Sequence, residues 1–360
     1  MDPDLIGRVQ QIRNDVGMSQ TDFADALATT PSKLSKSLRG ARRFTTTELA
    51  LAAELGKTTV DWILTGSAPP SYALAARAEA SSCPDHVAAL VERFHNAHDQ
   101  LHWDAPRKPA PLPEVEFPRG MLDISYGQQL AAEAQGRLRD AGVDIRAVDL
   151  AEAVEQVFDV DVAIVPLPDG VSGASWETDD FRIALVNAHE PLVRRRFTLA
   201  HELGHVFCGH ARDLIREADL RSTSQPERIV NAFSAAFLMP QDLLAETIGT
   251  EPSLGSLAAA AVEFRVAPIA LGDRLTNLGL VDEGLLDEFQ KLRFADCIKL
   301  ADRLDLVEEL ALTKLPERLP SRLVEGHASL YITGEATARP LAALLGLSQN
   351  EVRQRFGTQG

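Results

Sequence analysis

Leu5, Val9 and Ile12 recur at helical spacing, and Gly17 follows where such a helix must stop. Phe23, Ala24 and Leu27 give a second helix a buried face, opened by Ser19 three residues before Asp22 in the manner of a capped N-terminus. After Thr29-Thr30-Pro31 a third helix opens at Ser32, carries Leu34 and Leu38 on its apolar side and ends at Gly40. Two short helices joined by three or four residues make a helix-turn-helix. Pro69-Pro70 closes this segment, and a helical stretch is expected over about 72–102. Pro106, Pro109, Pro111, Pro113 and Pro118 then crowd residues 103–119, which read as a stiff, extended linker. From 120 to about 250 helical and strand patterns mix, with VDVAIVPLP and FRIALVN reading as strands around VSG. Past 251 the pattern is helical to the end, and no repeat of 20–50 residues is visible.

Composition narrows the class. With 360 residues, 45% hydrophobic and 24% charged, the chain has the make-up of a folded, multidomain protein rather than a disordered one. Three cysteines (Cys83, Cys208 and Cys297) are too few and too scattered for a disulfide scaffold and read as reduced thiols, so a cytoplasmic protein is expected. No apolar run is long enough for a membrane span, and MDPDLIGRVQ carries acids where a signal peptide carries bases. The net charge of −16 is unevenly spread. Acids and bases balance within residues 1–66, so the excess lies in 67–360. Between Asp25 and Glu48 the charged residues are all basic: Lys33, Lys36, Arg39, Arg42 and Arg43. A neutral segment with a local basic stripe, attached to an acidic body, points to DNA contact by that segment alone.

The second helix of the helix-turn-helix exposes Ser32, Lys33, Lys36 and Arg39, which can reach phosphates and base edges in a major groove. GMSQTDFADALATTPSKLSKSLRG resembles the phage-repressor (XRE) type of helix-turn-helix, and residues 1–66 cover such a domain. The resemblance implies that Gln20, Thr30, Ser32, Lys33 and Lys36 face double-stranded DNA, while Phe23, Ala24, Leu27 and Leu34 form the core. Two positions depart from that pattern: Ala28, where glycine is common at the turn, and Leu38, where an acid is common. The other reading of the segment is a small helical bundle for protein contacts.

The sharpest chemical signal is RFTLAHELGH at 196–205. His201 and His205 are spaced i, i+4, so both imidazoles lie on one helix face and can ligate one ion. Glu202 lies beside them, where it can take a proton from water. Downstream, Pro226 suits the first turn of a helix whose buried stripe is Ile229, Val230, Phe233 and Phe237 and which Pro240 stops. Glu227 could supply a third ligand, with Asn231 hydrogen-bonding a ligating histidine. Ser224-x-x-Glu227 is equally a capping box, which leaves both roles open on spacing alone. RRRFTLAHELGH followed by ERIVNAFSAAFLMP resembles the ImmA/IrrE family of metallopeptidases, over roughly 120–245. The resemblance implies a small zincin-like domain with His201, His205 and Glu227 as metal ligands and Glu202 as general base. It implies zinc, and manganese also suits such a donor set.

Other features carry weaker signals. Tyr126, His210 and the Arg194–Arg196 run are candidate oxyanion stabilisers, with the arginines read as a solvated helix start and His210 as a surface residue. Cys208 reads as a small buried filler before a thiol ligand or redox switch. His95, His98 and His102 are spaced for one helix face and read as solvated before they read as a second metal site. Residues 313–360 carry Gly346-Leu347-Ser348 between two apolar-periodic helices, a helix-turn-helix-like tail suited to packing or homodimer formation.

The expected fold is multidomain and mainly α with an α+β core. Residues 1–66 form the helix-turn-helix bundle, 67–119 a helix and proline-rich linker, 120–250 the metallopeptidase domain with a small sheet, 251–312 a helical extension and 313–360 the tail. The expected function is a DNA-binding regulatory zinc metallopeptidase that cleaves an XRE-type repressor, or itself, in a stress or mobile-element response. The resemblance also raises single-stranded DNA as a trigger, although nothing in the acidic body marks a place for it. The alternatives are a regulator whose peptidase-like domain senses without cleaving, and an antitoxin-type partner-binding module.

Overall fold

The computed structural model describes residues 3–56, 63–64, 75–76, 84–101, 109–116, 121–146, 149–212, 224–306 and 317–357. His102, Cys83 and the prolines 106 and 118 lie outside them. The chain divides into two units, 1–71 and 72–360.

The first unit holds α1 (Pro3–Asp15), α2 (Gln20–Ala26), α3 (Pro31–Leu38) and α4 (Thr46–Leu55). Local chemistry sets the helix starts. The Ser19 hydroxyl accepts from the Asp22 amide at 3.2 Å, and the Thr30 hydroxyl from the Lys33 amide at 3.3 Å. Phe23, Ala24, Leu27 and Leu34 meet Val9, Ile12 and Ala52 in one core. Ala28 takes the turn between α2 and α3 with φ +50°, a left-handed conformation that costs an alanine about 1 kcal/mol. The turn closes all the same, with Thr29 N donating to Ala24 O at 2.9 Å.

The second unit is built on a four-stranded sheet in the order β1-β3-β4-β2. The strands are β1 (Ala75–Ala76), β2 (Asp161–Val165), β3 (Gly173–Glu177) and β4 (Arg182–Asn187). β4 pairs antiparallel with β3 and parallel with β2. Its helices are α5 (Pro84–Gln100), α6 (Asp123–Asp140), α7 (Leu150–Phe158), α8 (Leu192–Phe207), α9 (Gln225–Leu238), α10 (Gln241–Ile248), α11 (Leu254–Phe264), α12 (Pro268–Leu278), α13 (Glu283–Phe289), α14 (Phe294–Leu300), α15 (Ser321–Ile332), α16 (Ala338–Leu345) and α17 (Gln349–Phe356). Residues 75–76 are strand where the sequence pattern predicts helix, because their backbone pairs with β3 and covers its edge.

Both faces of the sheet are covered. Successive residues of β4 alternate between two cores, Ala184 and Val186 on one side and Ile183 and Leu185 on the other. The first core takes in α6 to α14; the second takes in Val87, Val91 and Phe94 of α5 with Leu323 and Leu344 near the C-terminus. The residues of 251–306 thus share a core with the HExxH helix α8. No single helix among the described residues is long and apolar enough to cross a membrane.

Two groups of side chains depart from the sequence expectation. His98 is not solvated: it is 2% exposed, with its ring 4.9 Å from that of Phe181 and its Nδ1 3.3 Å from an Arg322 nitrogen. His95 is half-buried and meets Trp176 edge-on at 4.9 Å, so aromatic side chains around β3 shield this histidine pair. Arg195 and Arg196 are likewise buried rather than a solvated helix start. Arg196 turns into the core and donates to the Ile145 carbonyl, and burial drags its pKa down to about 10.

The contacts of α9 with α6 and α8 depend on glycine at two places. A Cβ on Gly127 of α6 would run into the Ile229 carbonyl and lie 2.9 Å from the Phe233 nitrogen of α9. A Cβ on Gly204 of α8 would lie 2.9 Å from the Phe233 ring and 3.0 Å from Val230. By contrast, Gly136 on α6 has nothing within 4 Å of that position. Gly127→Ala is therefore expected to lower unfolding stability by about 1–3 kcal/mol through overpacking. Gly136→Ala is expected to raise it by roughly 0.5–1 kcal/mol through helix propensity. Denaturant titrations of the two variants check this pair, and equal stabilities would contradict it.

Candidate metal centre

Helix α8 starts after Pro191 and is anchored at once. Glu190 accepts from Arg194 Nε at 2.8 Å, from the Ser172 hydroxyl at 2.6 Å and from the Thr198 hydroxyl at 3.3 Å. Further along, α8 carries His201, Glu202 and His205 into the interior, with exposures of 0%, 0% and 4%. Helix α9 crosses it at the Gly204–Phe233 contact and brings in Glu227, 2% exposed.

Donor atoms converge there. The two Nε2 atoms of His201 and His205 are 2.9 Å apart. Glu227 places one carboxylate oxygen 3.3 Å from His201 Nε2 and the other 3.1 Å from His205 Nε2. A tetrahedral centre with bonds near 2.0 Å has edges of about 3.3 Å, so these spacings match one ion with three protein ligands. Among the described residues this is the single group of His, Cys, Asp or Glu gathered tightly enough to hold a metal.

The outer edges of both imidazoles are engaged. His201 Nδ1 meets Asn231 Oδ1 at 3.1 Å, and His205 Nδ1 meets His210 Nδ1 at 3.4 Å. When the Nδ1 atoms donate outward, both Nε2 lone pairs point inward at a carboxylate. Three acceptors without a proton between them suit a cation. The Ser224 hydroxyl caps α9 by accepting from the Glu227 amide at 3.5 Å, while the Glu227 carboxylate faces the histidines. The cap uses the backbone amide of Glu227, which leaves its carboxylate directed at the two histidines.

Glu202 sits on the sheet side of α8. Its Oε2 accepts from the Ser175 hydroxyl of β3 at 3.0 Å. A Cβ on Gly173, two residues earlier on the same face of β3, would come within 2.9 Å of Glu202 Oε1. Neither position carries a signal in the sequence, because a serine and a glycine in a strand are ordinary residues. Their meaning lies in strand register, which sets Gly173 opposite Val186 and Ser175 opposite Ala184.

The other candidates are spread around this centre. Tyr126 is half-buried on α6; burial and the neighbouring Cys208 push its hydroxyl up. Burial pushes the Cys208 thiol up to about 12, so it stays protonated as a packing residue. Arg194 is exposed and spent on Glu190. His210 is partly buried against His205 rather than on the open surface; burial, then repulsion from His205, lowers its pKa to about 4. Gln20, Thr30, Ser32, Lys33, Lys36 and Arg39 lie in the first unit, at least partly exposed.

The convergence of these donors agrees with comparison to known proteins. Residues 155–276 match the family model Peptidase_M78, the IrrE N-terminal-like domain. The matched region is similar to that domain. It spans β2 to β4, α8, α9 and the helices through most of α12. Over 150 residues the chain is 29% identical to the radiation response metalloprotease IrrE of Deinococcus radiodurans. That alignment takes in 39% of this chain and 44% of the relative, so the chain spans less than half of that protein's length.

Within the matched region, Glu227→Gln keeps the cap of α9 but removes an anionic donor. Zinc affinity, measured by chelator competition, is expected to fall by more than the roughly 10–100-fold that losing a supporting hydrogen bond costs. Unchanged affinity would remove Glu227 from the ligand set.

Proposed function

We propose that this chain is a DNA-binding regulatory zinc metallopeptidase that cleaves a helix-turn-helix repressor, or itself, to switch transcription in a stress or mobile-element response. The observation that carries the reading is the joint placement of His201, His205 and Glu227 about one point, with Glu202 next to His201 on the same helix and held by Ser175.

His201, His205 and Glu227 would hold a zinc ion, which would supply a more acidic water and polarisation of the scissile carbonyl. The chain's own part in the chemistry is proton handling and positioning. Glu202 accepts the proton of the attacking water and returns it to the departing amine. Asn231 holds the His201 ring at its far nitrogen. Burial of the whole group strengthens each electrostatic contact inside it. A sensor that only bound a ligand would not need to keep a carboxylate at position 202 for proton transfer.

The first unit supplies the address. Lys33, Lys36 and Arg39 on or beside α3, with Gln20, Thr30 and Ser32, form a polar and basic face suited to duplex DNA. The proposed substrate is an XRE-type repressor. Tethering the peptidase to an operator raises its concentration near such a repressor on the same DNA.

Glu202→Gln is expected to retain one zinc per chain and to lose cleavage of a repressor substrate by about 100-fold or more, as removal of a general base does. Cleavage at the wild-type rate in the zinc-loaded variant would refute the base assignment. Lys33→Ala and Lys36→Ala are each expected to weaken operator binding and to reduce the slope of log affinity against log salt by about 0.9 for each phosphate the lysine neutralises. Slopes equal to the wild type in both variants would take α3 off the DNA.

A further inference from the structure

We propose that His210 is a positioning residue for the metal centre: its Nδ1 accepts the Nδ1 proton of His205 and thereby fixes that ligand's tautomer and ring orientation. The inference rests on reading His201, His205 and Glu227 as metal ligands, and it adds a residue from outside the HExxH pattern.

His205 directs Nε2 at Glu227 and His201, 3.1 Å and 2.9 Å away, so its Nδ1 lies on the opposite edge of the ring. That edge meets His210 Nδ1 at 3.4 Å, with the ring centroids 5.6 Å apart and the planes inclined by 59°. His201 has the corresponding support from Asn231 Oδ1 at 3.1 Å. Both imidazoles therefore have a partner at the nitrogen turned away from the cluster, one a side-chain amide and the other an imidazole. A ligating histidine whose lone pair faces a cation carries its proton on the other nitrogen and needs an acceptor there. For His205 that requirement assigns a lone pair to His210 Nδ1 and a proton to His210 Nε2.

The backbone is shaped to deliver this contact. Helix α8 ends at Cys208, and Gly209 adopts φ +69°, which turns the chain back on the helix. His210 then opens a short 3-10 turn, His210–Arg212, whose Ala211 is fully buried and which packs against β3. The five-residue separation from His205 is one that a continuous helix would spread to different faces. The left-handed glycine restores the proximity.

The test uses the full chain and zinc alone as probe, with the dissociation constant taken from competition with a chromophoric chelator. His210→Ala and His210→Phe both delete the acceptor, and the second keeps a ring in place. Each is expected to weaken zinc binding by about 10–100-fold. His210→Asn, which restores an acceptor oxygen near the Nδ1 position, is expected to recover affinity to within a few-fold of the wild type. Wild-type affinity in His210→Ala or His210→Phe would overturn the proposal and leave the metal centre intact. Equal weakness in His210→Asn and His210→Phe would assign the effect to packing and also overturn it. A wild-type chain that took up no zinc would instead overturn the metal-centre reading beneath it.

Discussion

Two imidazole lone pairs and a carboxylate share a buried volume with separations of 2.9 to 3.3 Å, and the rest of the domain is arranged around that proximity. Such a set is costly in a protein interior unless a cation or protons lie between its members. Asn231 Oδ1 and His210 Nδ1 stand at the outer nitrogens, where they can accept the Nδ1 protons that a cation bound at both Nε2 atoms requires. The Glu202 carboxylate, by contrast, is held by a strand hydroxyl. The donor cluster and Glu202 therefore have separate supports.

The fold serves this centre through close approach. His201 and His205 come from one helix, but Glu227 must be carried in by another, and helix axes pack too far apart for a short carboxylate unless small residues line the crossing. Gly204 lets α8 meet the Phe233 turn of α9, and Gly127 lets α6 press on α9 from behind. Gln135 then ties α6 to the C-terminal end of α9 by donating to the carbonyls of Ala236 and Phe237 at 2.7 Å and 3.1 Å. At the sheet, Gly173 leaves room for the Glu202 carboxylate and Ser175 receives it.

How much of this can be read from the sequence differs by residue. The i, i+4 histidines and the buried stripe of α9 follow from helical periodicity, and both appear where periodicity puts them. The strands 161–165 and 182–187 are legible as apolar runs, whereas Gly173–Glu177 is not, because GASWE has neither alternation nor a β-branched run. Burial of His98, Arg195 and Arg196 escapes the sequence because it depends on distant partners, Phe181 and Arg322 for the first and Ile145 for the last. The partnership of His205 with His210 is hidden behind a left-handed glycine, which breaks the helical count that sequence reasoning uses. Ala28 shows the reverse case: an unfavourable residue by pattern, accepted by the turn at φ +50°.

X-ray absorption at the zinc edge of the zinc-loaded full chain reads the ligand set of His201, His205 and Glu227 directly. The predicted spectrum is that of one zinc with only nitrogen and oxygen neighbours at about 2.0–2.1 Å and the multiple-scattering pattern of two imidazoles. A sulfur neighbour near 2.3 Å, or the signature of fewer than two imidazoles, would contradict it.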